Sequence, residues 1–185
     1  DEDPYFYAST LVKEEALIAS NKEEFQPRWS PDGKEIAYLE ERTTLKVYNL
    51  ASKTARTVLP GTYNYSYSDG DQYFAWSPDS KWLLVQYIPL GGQVFVPEAG
   101  LVNADGKSKP VNLTLSGYSD RSPKWQLDGK MMLWFSDRDG MKNHASWGGE
   151  SDVYGMFFTQ EAFDRFRMSK EEFALLKEKE DKDKK

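Results

Sequence analysis

The sequence contains no cysteine and only one histidine, His144, among its 185 residues. The absence of thiols excludes disulfides and thiolate chemistry. A single imidazole leaves little from which to build a metal site or a Ser–His–Asp triad. Neither a phosphate-binding glycine loop nor the nucleophile motif G-x-S-x-G occurs. We therefore predict that this chain supplies no catalytic residues, no metal site and no cofactor.

An excess of basic residues and a long apolar run are missing too. The chain has 24 Lys and Arg against 30 Asp and Glu, so its net charge is −6, and this balance argues against a nucleic-acid partner. No apolar stretch approaches the roughly 20 residues that a membrane-spanning helix needs. The sequence begins with Asp1 instead of Met, which favours a processed or excised piece. In such a piece, the absence of a targeting signal says nothing about location, so the cellular compartment stays unknown.

Aromatic residues are abundant, at 15% of the chain, and this is typical of packed β-structure. They mark a repeat, whose three copies are "FQPRWSPDGKEIAYLE", "YFAWSPDSKWLLVQY" and "SPKWQLDGKMMLWFSDRDG". In register, the copies place Trp29, Trp76 and Trp125 at intervals of 47 and 49 residues. Blades of β-propellers repeat at about 40 to 50 residues. The spacing therefore predicts stacked blades, with these tryptophans in the core between neighbours.

Each repeat has the residues of a tight turn directly after its tryptophan. Asp32, Asp79 and Asp128 can accept hydrogen bonds from the turn backbone, and Gly33 and Gly129 can supply positive φ. A β-rich run, a polar turn and two further short β-rich runs follow in the first two copies. This order predicts four antiparallel strands per repeat.

The predicted fold is all-β, a partial β-propeller with a short helical tail. The expected divisions are the end of a preceding blade at 1–24, full blades at 25–72 and 73–119, a third blade at 120–158 with an insertion, and a helical tail and charged linker at 159–185. One four-stranded sheet cannot bury both of its faces, so the blades must stack on one another.

The tail changes from a period of two residues to one of about 3.6. Thr159 is the predicted N-cap of a first helix, in which Phe158 would pack on Phe163. A capping box of Ser169 and Glu172 would begin a second helix. The run "KEKEDKDKK" contains only charged residues of both signs and favours a solvated linker.

Two segments outside the repeat are candidates for contact with a peptide or protein partner. The first, "YNYSYSDGDQY", contains Tyr63, Tyr65 and Tyr67. Their alternation favours packing as a strand between blades, and a peptide-contacting surface is the alternative. The second is the polar insertion of the third repeat, which holds His144 and Trp147. A surface loop or inter-domain contact is the expectation there, and a contact loop at a channel mouth is the alternative.

The run "PRWSPDGKEIAY", the short "VYNL" strand that follows it and the "FSDRDG" of the third copy together resemble the TolB-like propeller repeat. The resemblance covers roughly residues 5–158 and recurs in register. It implies a β-propeller, a fold that serves many functions.

The region "SDRDGMKNHASWGGESDVYGMFFTQEAFDRFRMSKEEFALLKEKED" is similar to the propeller junction of bacterial tricorn-type serine proteases. In that family, propellers are thought to guide peptides towards a catalytic domain of the C-terminal-processing-peptidase type, next to a PDZ-like domain. The resemblance implies a non-catalytic substrate-access scaffold, with peptides and the other domains of a parent chain as partners. It favours a periplasmic location.

Because about three blades cannot close a ring, two alternatives follow: the chain is a fragment, or copies self-associate through open blade faces. Two other functions remain open. One is a stand-alone periplasmic TolB-like scaffold for protein binding. The other is the accessory propeller of a prolyl-oligopeptidase-type hydrolase.

Overall fold

The computed structural model describes residues 13–142 and 149–183. These ranges form three antiparallel sheets followed by two helices. The first sheet contains β1 (Glu24–Trp29), β2 (Glu35–Glu40), β3 (Thr44–Asn49) and β4 (Thr54–Leu59). The second contains β5 (Phe74–Trp76), β6 (Trp82–Tyr87), β7 (Glu98–Asn103) and β8 (Val111–Asn112). The third contains β9 (Asp120–Gln126), β10 (Met131–Ser136) and β11 (Asp152–Phe157), and the helices are α1 (Gln160–Arg167) and α2 (Lys170–Asp183).

Strand order in every sheet follows the chain, so each sheet is a simple meander. The predicted all-β, partial-propeller fold is confirmed. The third sheet has three strands within the described residues, and the predicted insertion lies between β10 and β11, whose strands pair along their full length.

The core lies between neighbouring sheets. One cluster joins the first two sheets through side chains such as Leu45, Val47, Leu83 and Val85. A second cluster joins the second and third sheets around Met132. Because side chains alternate along a strand, each central strand contributes to the cluster on one side with every other residue. Stacking therefore buries apolar surface that a single sheet would expose.

The antiparallel order gives the stack two distinct ends. The tight turns β1–β2, β5–β6 and β9–β10 all lie at one end, here called the turn end. The connections β4–β5, β6–β7, β8–β9 and β10–β11 lie at the other, here called the loop end. Helix α1 begins at the turn end, where β11 finishes.

Two expectations about the chain ends differ from the structure. Residues 13–23 contain no strand, although 1–24 were expected to end a preceding blade; residues 1–12 lie outside the described residues. The charged run 177–183 continues helix α2 instead of forming a linker. Mixed charges permit this, because residues such as Lys and Glu have good helix propensity.

The aromatic contacts of the tail also differ. Phe158 packs on Trp125, with ring centroids 5.5 Å apart, and it is Phe157 that packs on Phe163 at 5.4 Å. Alternation along β11 sends the two phenylalanines to opposite faces of the sheet, so only one of them can reach α1. Thr159 does cap α1, since its hydroxyl accepts a hydrogen bond from the Ala162 N–H at 3.2 Å.

Helix α2 begins with the expected reciprocal capping box. Ser169 N–H donates to Glu172 Oε2 at 2.8 Å, and Glu172 N–H donates to Ser169 Oγ at 3.2 Å. No described residue of α2 is buried. The helix is held to α1 by the paired hydrogen bonds between Arg165 and Glu180. Helix α2 therefore buries none of its described residues against the sheets.

Candidate functional site

The repeat tryptophans connect the blades through hydrogen bonds as well as packing. Trp76 donates its indole N–H to the Arg28 carbonyl oxygen at 3.1 Å, and Trp125 donates to the Ala75 carbonyl oxygen at 3.1 Å. Each acceptor directly precedes the tryptophan of the neighbouring blade. One repeated residue thus fixes the register between blades.

Trp29 differs from the core position expected for it. Its side chain is 60% exposed, whereas Trp76 and Trp125 are partly buried against the two core clusters. The physical reason is positional. An inter-blade tryptophan is buried by the sheet before it, and no sheet precedes β1 within the described residues.

The turns after the tryptophans are closed by a Ser–Asp pair. In the first, Ser30 Oγ donates to Asp32 Oδ1 at 2.7 Å, and the Lys34 N–H donates to the same oxygen at 3.1 Å. In the second, Ser77 and Lys81 donate to Asp79 Oδ1 at 2.6 and 3.1 Å. The hydrogen bonds from Ser30 and Ser77 hold the pKa of Asp32 and Asp79 below the usual range. Both aspartates therefore remain charged at neutral pH.

The third turn is built differently. Gln126 and Leu127 replace the Ser–Pro of the other turns, so no serine is present to orient the Asp128 carboxylate. Gly129 takes a φ of +81°, as Gly33 takes +71°, and these values favour glycine. A Cβ on Gly129 would lie 3.2 Å from the Pro78 ring. The second and third turns therefore touch.

A groove with a volume of about 810 Å³ lies at the loop end. The connections that line this groove all belong to that end of the stack. The β4–β5 connection supplies Asn64, Tyr65 and Tyr67, and the β6–β7 connection supplies Phe95. We call this cavity the loop-end groove.

Aromatic side chains from two connections meet in the loop-end groove. Tyr65 and Phe95 form an edge-to-face pair with ring centroids 5.5 Å apart. Tyr67 is 76% exposed. Asp71 stabilises this loop by accepting hydrogen bonds from the backbone N–H groups of Tyr67 and Ser68, at 2.5 and 3.0 Å. The groove thus presents exposed rings on an ordered loop.

The third sheet and its β10–β11 connection add charged groups to the groove. Arg121 is exposed and donates its Nε–H to Ser119 Oγ at 2.6 Å. Asp137 accepts the Ser119 N–H at 2.9 Å and pairs with Lys142 Nζ at 3.5 Å. Both signs of charge therefore lie within reach of a ligand in the groove.

The structure separates the three candidate tyrosines. Tyr65 and Tyr67 line the loop-end groove, while Tyr63 ends a 3-10 turn (Gly61–Tyr63) and packs near Tyr87, with ring centroids 6.1 Å apart. The segment forms no strand, so the expected strand is wrong, although Tyr63 does pack against the core between the first two sheets. Its serines, glycine and aspartates favour turns over a hydrogen-bonded β-strand. The other two candidates, His144 and Trp147, lie outside the described residues.

Several groove residues were not predicted from the sequence. Phe95 lies in a connection that shares no motif with the repeat, and Arg121 lies in β9. Asp137 belongs to the "FSDRDG" run, which marked only the repeat. The positive φ of Phe95, +73°, follows from no residue pattern, because it is rare for an aromatic side chain.

A buried network of charged and polar side chains stabilises the third sheet at the loop end. Asp120 is fully buried and accepts hydrogen bonds from Ser116 Oγ at 2.5 Å and Trp134 Nε1 at 3.0 Å, and Arg138 pairs with it at 3.3 Å. Burial raises the pKa of Asp120, but hydrogen bonds from Ser116 and other side chains outweigh it and lower the pKa below its usual value. The guanidinium of Arg138 also lies 4.6 Å from the ring centroid of Tyr154. This network anchors both ends of the β10–β11 connection.

Within the described residues, no group of three or more His, Cys, Asp or Glu side chains is arranged to hold a metal ion. Neither α1 nor α2 is long and apolar enough to cross a membrane.

Several solved structures are similar to this chain, and the first of them supports the propeller architecture. A TolB structure from Agrobacterium tumefaciens is 20% identical with a TM-score of 0.51, over 75% of this chain and 46% of that one. The β-propeller domain of Cps50 (Swd1) from Myceliophteria thermophila is 8% identical with a TM-score of 0.38, over 72% of this chain and 40% of that one. An oligogalacturonate lyase in complex with manganese is 13% identical with a TM-score of 0.34, over 77% and 52%.

The chain spans about half the length of these structures. No protein-family model and no curated protein matches the sequence. At 20% identity the TolB likeness shows the fold alone, which is a partial β-propeller.

Proposed function

We propose that this chain is a non-catalytic propeller scaffold of a tricorn-type peptidase, and that its loop-end groove receives and orients peptides on their way to a catalytic domain. The observation that carries the proposal is the groove itself. It combines an ordered aromatic loop, charged groups of both signs and a size of about 810 Å³, which lies within the range of ligand sites.

The groove offers the interactions that a peptide of mixed sequence needs. Tyr65, Tyr67 and Phe95 present large, rigid rings, which give contact area at low entropic cost. Asn64 Oδ1 is buried and accepts no hydrogen bond from the described residues, although its amide group donates to the Thr43 carbonyl at 2.6 Å. A peptide N–H is a suitable donor for this oxygen, since a buried acceptor without a partner costs free energy.

The charged part of the groove supports broad recognition. Arg121 has no carboxylate partner among the described residues, so it can pair with an acidic side chain. Asp137 forms an ion pair with the exposed Lys142. Either side chain can leave this pair and bind a charged group of the ligand instead. Such surface pairs are weak, so exchange costs little. This composition favours peptides of varied sequence over one small molecule.

Binding to the groove is tested with a pool of fluorescein-labelled nine-residue peptides, by anisotropy, on the 185-residue chain. The variant Tyr65→Ala/Tyr67→Ala removes two anchors, and we expect it to weaken binding by about tenfold or more. Leu175→Ala is the control, because Leu175 is similarly exposed at 67% but lies on α2. Equal binding by the two variants would disprove the groove assignment.

The tricorn-type parent is tested separately in the source organism. An antibody to this chain should detect a polypeptide much larger than one propeller, and that band should react with a serine-hydrolase probe. An unlabelled band of single-propeller size, together with peptide binding, would instead support a stand-alone TolB-like binding scaffold.

A further inference from the structure

A second cavity lies at the opposite end of the stack and plays no part in the proposed function. This turn-end pocket has a volume of about 420 Å³ and opens between the second and third sheets. Its walls include Trp82, Trp125 and Phe158, and its rim includes Asp79 and Asp128. The pocket therefore combines three aromatic side chains with two carboxylates.

The aromatic walls are fixed by the packing described above. Trp125 is held by its hydrogen bond to the Ala75 carbonyl and packs at 43° to Phe158. The backbone N–H of Trp82 donates to Ser77 Oγ at 2.9 Å, which attaches this residue to the second turn. A pair of rings set at an angle provides two walls, and Trp82 adds a third. Rigid rings of this kind attract cations through their quadrupoles.

The two carboxylates remain able to accept a ligand. Asp79 uses Oδ1 for the turn, and no hydrogen bond of its Oδ2 is found among the described residues. Asp128 makes no hydrogen bond or ion pair with the described part of the chain. The charged residues next in sequence are Lys81 and Lys130, but neither lines the pocket. The pocket thus has a negative rim without an internal cation.

The pocket is also defined by backbone contact. The second and third turns meet where Gly129 lies against Pro78, so the two aspartates approach the same opening from adjacent blades. The third turn lacks the serine that would bind its carboxylate, and this leaves Asp128 free. The third turn, which lacks the Ser–Pro of the other two, is therefore also the turn whose aspartate carboxylate is free.

We propose that the turn-end pocket binds an alkylammonium group, held by cation–π contact with its aromatic walls and by the charges of Asp79 and Asp128. The group can come from a free organic cation or from a lysine side chain of a protein, and the same chemistry recognises both. A volume of about 420 Å³ is sufficient for such a group and for the chain that carries it.

The test uses choline, its neutral isostere 3,3-dimethylbutan-1-ol and the tripeptide acetyl-Gly-Lys-Gly-amide, each titrated into the 185-residue chain by calorimetry. Choline should bind about tenfold more tightly than the alcohol, because only the cation gains the aromatic and carboxylate attraction. Tighter binding of the tripeptide than of choline would identify the source as a protein lysine. Tighter binding of choline would identify a free cation.

Asp128→Asn is the informative variant, because Asn tolerates the positive φ of this position, +53°, and the fold is preserved. It should weaken choline binding about threefold to tenfold and leave binding of the alcohol unchanged. Glu178→Gln on α2 removes one charge elsewhere and should change neither. Equal binding of choline and the alcohol, no saturable binding of choline, or equal effects of the two variants would each overturn the proposal.

Discussion

Trp125 donates its indole N–H to the carbonyl oxygen of Ala75 over 3.1 Å, and Ala75 directly precedes Trp76 in the preceding blade. Trp76 makes the same bond to Arg28, which directly precedes Trp29. The tryptophan of each repeat thus recognises the backbone of the repeat before it. This relationship explains why the spacing of one residue type determines the architecture.

The first prediction concerns this inter-blade bond. Trp76→Ala should lower the free energy of unfolding by about 3 kcal/mol, because it removes packed aromatic surface together with the hydrogen bond. Trp76→Phe should cost only about 1 kcal/mol, mainly that of the lost hydrogen bond, since most of the packing remains. Urea unfolding measures both. Trp29→Ala is the matched control and should cost under about 1 kcal/mol, because Trp29 is 60% exposed.

The second prediction concerns pH. Hydrogen bonds in the folded turn lower the pKa of Asp79 from its ordinary value of 3.8, so its contribution to stability is complete above that value. The contribution is lost as the pH falls through the lower, folded-state pKa. Asp79→Ala should therefore reduce the melting temperature at pH 7, and the difference from the native chain should shrink below pH 3.8. A difference that does not change with pH would show that the carboxylate charge plays no part.

The third prediction concerns the connection that borders the groove. A Cβ on Gly140 would lie 1.9 Å from the Glu150 carbonyl oxygen, whereas one on Gly149 would meet only Met141 O at 3.6 Å. Gly140→Ala should therefore force a backbone shift, cost about 1–3 kcal/mol of stability and weaken peptide binding. Gly149→Ala should not change the stability; because Gly149 itself lines the loop-end groove, it is a control for stability alone. Thermal unfolding and peptide anisotropy on the two variants provide the comparison.

The fourth prediction concerns the buried ion pair. Arg138→Met leaves the Asp120 carboxylate buried without its cation, and we expect a loss of about 3 kcal/mol. Adding Asp120→Asn should recover part of this loss, because the remaining side chain is neutral and can still hydrogen-bond. Chemical unfolding of the single and double variants gives the coupling. If the double variant lost as much stability as Arg138→Met and Asp120→Asn lose when added together, the pair would not act as a unit.

The repeated features of the fold could be predicted because each is encoded locally. The residues "SPDG" specify a turn, and alternation around Trp76 specifies the strands beside it. The exposure of Trp29 could not be predicted, since burial depends on a neighbouring sheet and not on the motif. Likewise, Phe157 and Phe158 exchange roles because of the register of β11, which adjacent sequence does not determine.

The candidate site was predicted only in part. Tyr65 and Tyr67 were recognised because their segment is unusually rich in aromatic residues, but the strand expected there is a loop. The contact of Tyr65 with Phe95 joins residues 30 apart in sequence, and no periodic pattern relates them. Arg121 and Asp137 reach the groove only because the third blade stacks on the second. Sites formed by several loops depend on tertiary structure in this way.

The most direct test of the account is hydrogen–deuterium exchange on the chain with and without a bound nine-residue peptide. If the loop-end groove receives peptides, protection should appear in residues 61–73 and 93–97 and should be absent from the turns at 30–34 and 77–81. Protection confined to the turn end, or equal exchange in both states while anisotropy reports binding, would contradict the assignment of peptide recognition to this groove.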